Sequence, residues 1–167
     1  LKRLYNSVDL SSLNRTRLKK VEGHIYDFEN CYDLAEKTYK EMLQESIDLN
    51  DPWSRAAALN GLGTIERFSN NCEKAISLYT ESLQIRIDNK FIIDESNSHH
   101  NLGAVYIMMR DYDKAIEHLE KAKGIREKQN DIFRVSATEL YLGECYIHTQ
   151  SYNKAEKLLK QCINKKK

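Results

Sequence analysis

Two neighbouring histidines, His99-His100, and the pair Cys145-x2-His148 are the residues whose types and spacing come nearest to a metal site. Ligands at i and i+3 on one helix share a metal readily, but a site needs three or four donors in a set geometry. Cys145 lies 40 residues after Val105, 80 after Ile65 and 120 after Ile25, which makes it a core position. Cys162 lies in the column of Ser82 and Ala122, again a small packing place, and Cys31 and Cys72 fall at turns. With no CxxC pair, the four cysteines read as free thiols in a reducing compartment, the cytoplasm. No Gly-rich phosphate loop is present, and no Ser/His/Asp or Cys/His set stands in a catalytic motif context. The expectation is a non-enzyme without metal or cofactor.

Charge excludes further classes. Lys and Arg number 26 and Asp and Glu 25, a net charge of +1, which gives no electrostatic ground for binding nucleic acid or an anionic membrane. No apolar run approaches the ~20 residues that span a bilayer. Charged residues make up 31% of the chain, with six glycines and one proline, a balance that favours long helices.

The order that must position any working residue is a repeat. Glycines stand at 23, 63, 103 and 143, and alanines at 35, 75, 115 and 155, so both series step by 40. A glycine inside a helix costs about 1 kcal/mol relative to alanine. Four at equivalent places therefore need a compensating gain, and close approach of a partner helix supplies one. The facing alanine is expected to complete that contact, with an aromatic or leucine one turn later filling the gap.

The frame resembles the tetratricopeptide repeat, a helix-turn-helix unit with an L-G-x2-Y stretch in its first helix and a small-x3-large stretch in its second. Gly23-x2-Tyr26 goes with Ala35-x3-Tyr39, and Leu62-Gly63 with Ala75-x3-Tyr79. Leu102-Gly103-x2-Tyr106 goes with Ala115-x3-Leu119, and Leu142-Gly143-x2-Tyr146 with Ala155-x3-Leu159. The resemblance implies an all-α fold, a right-handed α-solenoid of four repeats. An N-terminal extension is expected at 1–15 and repeats at 16–55, 56–95, 96–135 and 136–167, the last incomplete. The family's familiar unit has about 34 residues and a proline near its end. Here Ile47, Ile87 and Glu127 continue the helix instead, and both helices are expected to be longer by part of a turn. Helix breaks are expected at Asn30-Cys31-Tyr32, Asn50-Asp51-Pro52-Trp53, Ser69-Asn70-Asn71, Asn89-Lys90 and Asn130-Asp131, and a cap at Ser11 or Ser12. Repeat two's first helix is expected from Arg55. The Glu117–Lys123 charge run reads as a solvated convex face.

In that architecture first helices line a concave groove. The positions transferred are Arg17, Lys20, His24 and Asp27, then Asn60, Thr64 and Arg67, then Asn97, His100 and Asn101, and finally Tyr141, Glu144 and His148. Asparagine suits a peptide because its amide donates and accepts at once. The carboxylate clamp that some members use on chaperone C-termini does not fit, since His24 and Gly61 replace its asparagines, and Asn97 and Asn101 its last lysine and arginine. The resemblance implies a protein or peptide partner and no bond made or broken. A second reading is a sensory or dimerising region of a larger bacterial signalling protein such as a histidine kinase. Because Leu159 and Ile163 have nothing following to cover them, a further helix or a second copy, as in a homodimer through the terminal repeat, is expected there.

Overall fold

The computed structural model describes residues 11–164. Most of the expected extension at 1–15 therefore lies outside the described residues, as do the side chains of Leu159, Cys162 and Ile163. All regular elements among the described residues are α-helices: α1 (Ser12–Phe28), α2 (Tyr32–Asp48), α3 (Pro52–Phe68), α4 (Cys72–Asp88), α5 (Ile92–Met108), α6 (Tyr112–Lys128), α7 (Ile132–His148) and α8 (Tyr152–Asn164). They form two compact units, Leu1–Lys90 with α1 to α4 and Phe91–Lys167 with α5 to α8.

Helix starts are 20 residues apart throughout, so the 40-residue repeat is built from two half-units of equal backbone length. The turns explain this regularity. Asn30, Asn50, Asn70, Lys90, Arg110, Asn130 and Gln150 all have φ between 50° and 61°, the left-handed conformation that ends a helix. After α1, the Asn30 N–H donates to the Asp27 carbonyl and the Cys31 N–H to the Tyr26 carbonyl, the paired bonds of a Schellman motif. The same pair closes α2, α3, α5, α6 and α7. Asparagine tolerates this conformation best after glycine, and four of the seven places hold it. Helix pairs begin at Ser12, Pro52, Ile92 and Ile132, four residues ahead of the frame edges at 16, 56, 96 and 136. The glycine and alanine markers lie inside helices and carry no phase for their ends. Pro52 opens α3, so this helix starts earlier than Arg55; a first-turn proline lacks only an N–H that would have no helical partner. Ser11 caps α1, its Oγ accepting from the Asn14 N–H at 3.4 Å.

In the first unit Tyr39 of α2 is the centre of packing and is completely buried. Its ring lies against Gly23 of α1 and Gly61 of α3: a methyl at Gly61 would fall 2.5 Å from the ring, and one at Gly23 would also fall inside its contact distance. Gly63 meets Tyr79 of α4 in the same way, at 2.8 Å. The large side chain itself, and not the small alanine, lies directly over each glycine. Ala35, Met42, Ala57, Ala58, Leu62 and Ile65 complete this core. The first helices α1 and α3 also pack on one another, while α2 and α4 have no comparable contact.

The second unit repeats the scheme with a leucine. A methyl at Gly103 of α5 would lie 2.6 Å from Leu119 Cγ of α6 and 3.3 Å from the Ala115 carbonyl. Leu142, Cys145, Tyr146, Ala155 and Leu158 extend the core through α7 and α8. Burial pushes the Cys145 thiol up to about 11, which keeps it an inert core residue. Near the end of α6, the buried Arg126 guanidinium donates to Asn97 Oδ1 at 3.1 Å on α5, and to the Arg134 carbonyl at 3.2 Å and Thr138 Oγ1 at 2.5 Å on α7. Desolvation first, and the charge of Arg134 second, hold it down to about 10. One side chain thus joins three helices.

Within the Glu117–Lys123 run, Glu117 and Lys121 form an exposed pair at 2.7 Å, as a solvated face requires. Three of its members do more: Glu120 accepts from the Tyr146 hydroxyl at 2.6 Å, Lys123 lies 3.5 Å from the buried Glu139 carboxylate, and His118 is half-buried.

Arg110 is an exposed residue held left-handed at φ 60°. Arg110→Gly relieves that strain, and the gain exceeds the added entropy of the unfolded chain. It should stabilise the protein by roughly 0.5–1 kcal/mol, seen as a raised thermal midpoint. A lowered midpoint would contradict the turn analysis.

Candidate functional site

The first-helix face of the first unit carries seven of the expected residues. On α1, Arg17 Nε contacts the buried Asp51 carboxylate at 3.4 Å, and its guanidinium lies 5.4 Å from the centre of the Trp53 ring. The Lys20 ammonium lies 4.6 Å from the same ring. Trp53, in the first turn of α3, is thus a platform bearing two cations. His24 is exposed, with its ring edge-on to Tyr39 at 6.3 Å. Asp27 accepts from the Tyr39 hydroxyl at 2.8 Å, and desolvation raises its pKa. On α3, Asn60 Oδ1 is 3.5 Å from the buried Arg86 guanidinium, Thr64 Oγ1 pairs with the Tyr79 hydroxyl at 3.0 Å, and Arg67 stacks on Phe68 at 4.4 Å.

The second unit brings together Asn97, His100 and Asn101 of α5, all half-buried, with Tyr141 and Glu144 of α7, both exposed. His100 and Tyr141 meet edge to face at 5.0 Å. The acceptor oxygen of Asn97 is taken by Arg126, so this amide offers a partner its N–H groups alone. His148 departs from the set. Its ring stacks on Tyr112 of α6 at 4.4 Å and 6°, as Phe68 stacks on Tyr32 of α2 at 5.6 Å, so it is held by a second helix at the edge of the face.

Three residues of these faces escaped the sequence reading: Trp53, Phe133 and Leu140. Phe133 is 85% exposed and Leu140 59%. Their signal was present. Phe133 stands 80 residues after Trp53, and Leu140 continues the column Lys20, Asn60, His100.

The histidine pair suggested by the sequence is differently arranged. His99 is buried, and its Nδ1 lies 3.0 Å from Nδ1 of His118 on α6. Tyr106 stacks on His118 at 5.5 Å, and Glu95 lies 3.9 Å from His99 Nε2. One ring donates and the other accepts, so the bond needs both rings neutral or one proton shared. Desolvation first, and the charge on His118 second, hold His99 down to about 4; desolvation also lowers His118. Among the described residues no group of three His, Cys, Asp or Glu side chains is arranged to hold a metal. Nor is any described helix long and apolar enough to cross a membrane.

Each unit is therefore a stack of helix-turn-helix repeats that presents its first helices on one face. Residues 94–167 match the family model described as tetratricopeptide repeat. Among solved structures, BtubC (BKLC) from P. vanneervenii is 23% identical with a TM-score of 0.81, over 95% of this chain and 66% of that one. A kinesin light chain of Podosopora anserina with nearly identical TPR-like repeats is 17% identical with a TM-score of 0.77, over 93% and 76%. A Rap protein complexed with Competence and Sporulation Factor is 14% identical with a TM-score of 0.86, over 94% and 44%. No curated protein sequence matches. Residues 94–167 carry tetratricopeptide repeats, and the described chain has the tetratricopeptide-repeat fold. It spans less than two thirds of BtubC and of the Rap protein.

The His99–His118 contact makes stability depend on pH. Unfolded histidine takes up its proton near pH 6.5, whereas folded His99 does so near about 4. Between those values the folded state binds fewer protons, so this contribution is complete above about 6.5 and is lost as pH falls towards about 4. The loss is on the order of 3 kcal/mol. In urea titrations over this interval, His99→Gln should show a clearly shallower pH slope than wild type. Equal slopes would contradict the assignment.

Proposed function

We propose that the chain is a non-catalytic protein-interaction module that holds a polypeptide on the first-helix faces of its units. The observation that carries this is in the second unit. Phe133 and Leu140 stand largely exposed on α7, beside the amides Asn97 and Asn101 on α5. Apolar side chains next to hydrogen-bonding groups are what a polypeptide surface needs from its receptor. In the first unit the Arg17–Trp53–Lys20 stack adds cationic and aromatic contacts. The shared fold of a Rap protein solved with a bound factor supports the reading. The mixed charge of the faces and the net charge of +1 favour a protein over nucleic acid. We place the module in the cytoplasm, where exposed Cys31 stays reduced.

A second reading, a regulatory or dimerising part of a larger signalling protein, is favoured by the share of the relatives that the chain spans, 66% and 44%. In that reading the partner is a second copy or a neighbouring domain. Sedimentation of the chain at high concentration, beside the reading frame downstream of Lys167, separates the two.

The test of the first reading is partner capture from the source cells, with wild type, Lys20→Glu and Leu140→Ser. Both substitutions lie on exposed or half-buried first-helix positions and should leave the helical signal unchanged. Captured partners should weaken at least about tenfold, since hot-spot side chains each contribute on the order of 2 kcal/mol. Retention of every partner at unchanged affinity would overturn the reading.

A further inference from the structure

Asp27 and Arg67 occupy the same column of the 40-residue frame, one on α1 and one on α3. Each has one buried polar atom with no hydrogen-bond partner, Asp27 Oδ1 and Arg67 Nε. The remainder of both side chains is half-exposed on the first-helix face. They are not joined to each other as an ion pair. Asp27 Oδ2 takes the Tyr39 hydroxyl at 2.8 Å, and the Tyr79 hydroxyl interacts with Arg67 and feels the Asp27 charge. Two hydroxyls on buried rings therefore fix an unused acceptor and an unused donor around one spot. The same column in the second unit holds Ile107 and Ile147, so this polar arrangement belongs to the first unit alone.

A buried donor or acceptor left without a partner is costly, and native structures rarely keep two together without a use for them. Their signs select the group that would use them. An anion meets Arg67 but is repelled by Asp27, and a cation meets Asp27 but is repelled by Arg67. A neutral group with an N–H at one end and a C=O at the other satisfies both. Packed helix axes lie about 8–10 Å apart, and an amide flanked by two hydrogen bonds of about 2.9 Å spans such a gap. Rotation of the Asp27 carboxylate about its own bond lets either oxygen keep the Tyr39 hydroxyl while the other turns to an incoming N–H.

We propose that Asp27 and Arg67 form a seat for a single amide group, with Asp27 accepting its N–H and Arg67 Nε donating to its carbonyl. This deepens the first-helix-face reading and rests on it, by naming the chemical group of the partner that the first unit recognises. The seat takes a primary side-chain amide of Asn or Gln, or a main-chain amide.

The Arg67 Nε–H resonance of the full chain reports the seat directly. Propionamide, as the primary amide, and N-methylacetamide, as the main-chain analogue, are titrated against it, with sodium acetate and methylammonium chloride at equal ionic strength as controls. At least one amide should shift the Nε–H resonance saturably, together with signals from Asp27 and Thr64, and neither ion should do so. The amide that binds tighter identifies the source. Asp27→Leu, read at Thr64, and Arg67→Met, read at Asp27, should each weaken binding at least about tenfold, with unchanged signals from the second unit showing that the chain is folded. Saturation by acetate as strong as by the amides, or no saturable shift with any probe, as when a water alone fills the spot, would overturn the seat. The face reading is judged separately, by the Lys20→Glu and Leu140→Ser captures.

Discussion

A ring or a leucine seated on a glycine is the contact on which the rest of this structure depends. Tyr39 fits only because neither Gly23 nor Gly61 has a β-carbon, and Tyr79 and Leu119 fit over Gly63 and Gly103 for the same reason. Each such contact fixes how closely a first and a second helix approach. Tyr39 does so for two first helices at once, which brings α1 and α3 together. The helix interior gives up about 1 kcal/mol of propensity at every glycine, and the burial of a whole aromatic or leucine side chain, ~1.5–3 kcal/mol, more than offsets it.

That contact leaves the outer edge of the first helices unused by the core. The hydroxyls of Tyr39 and Tyr79 reach past the glycines to Asp27 and Thr64, so the residues that pack the repeat also order the polar groups on its face. The buried arginine has a similar double part in the second unit. Arg126 joins α5, α6 and α7 and, in doing so, takes the acceptor of Asn97. Packing and recognition share side chains here, and a face residue cannot be assigned a role without knowing which of its atoms the core has already used.

This sharing explains what the sequence revealed. The architecture was legible because sterics act through a fixed interval: Gly23, Gly63 and Gly103 announce the same close approach three times. The helix ends were legible at Asn30, Asn50, Asn70 and Asn130, whose side chains favour the left-handed turn, and less so at Arg110 and Gln150, which have no such preference. Asn60 and Asn97 were recognisable as face residues, but their link to Arg86 and Arg126 depends on a contact 26 or 29 residues away in the chain. His148 was displaced by ring stacking on Tyr112, and Gly61 carried no repeat signal because Asn101 and Tyr141 fill its column. Tertiary partners of this kind are set by three-dimensional proximity and leave no periodic trace.

The central claim is that each glycine exists to admit the large side chain above it. A double-mutant cycle on Gly63 and Tyr79, followed by denaturant unfolding, measures it most directly. With Tyr79 in place, Gly63→Ala should destabilise, because the new methyl falls 2.8 Å from the ring. In a Tyr79→Ala background the same change should stabilise, by up to about 1 kcal/mol of helix propensity. A reversal of sign is the predicted result; an effect of the same sign and size in both backgrounds would contradict the account.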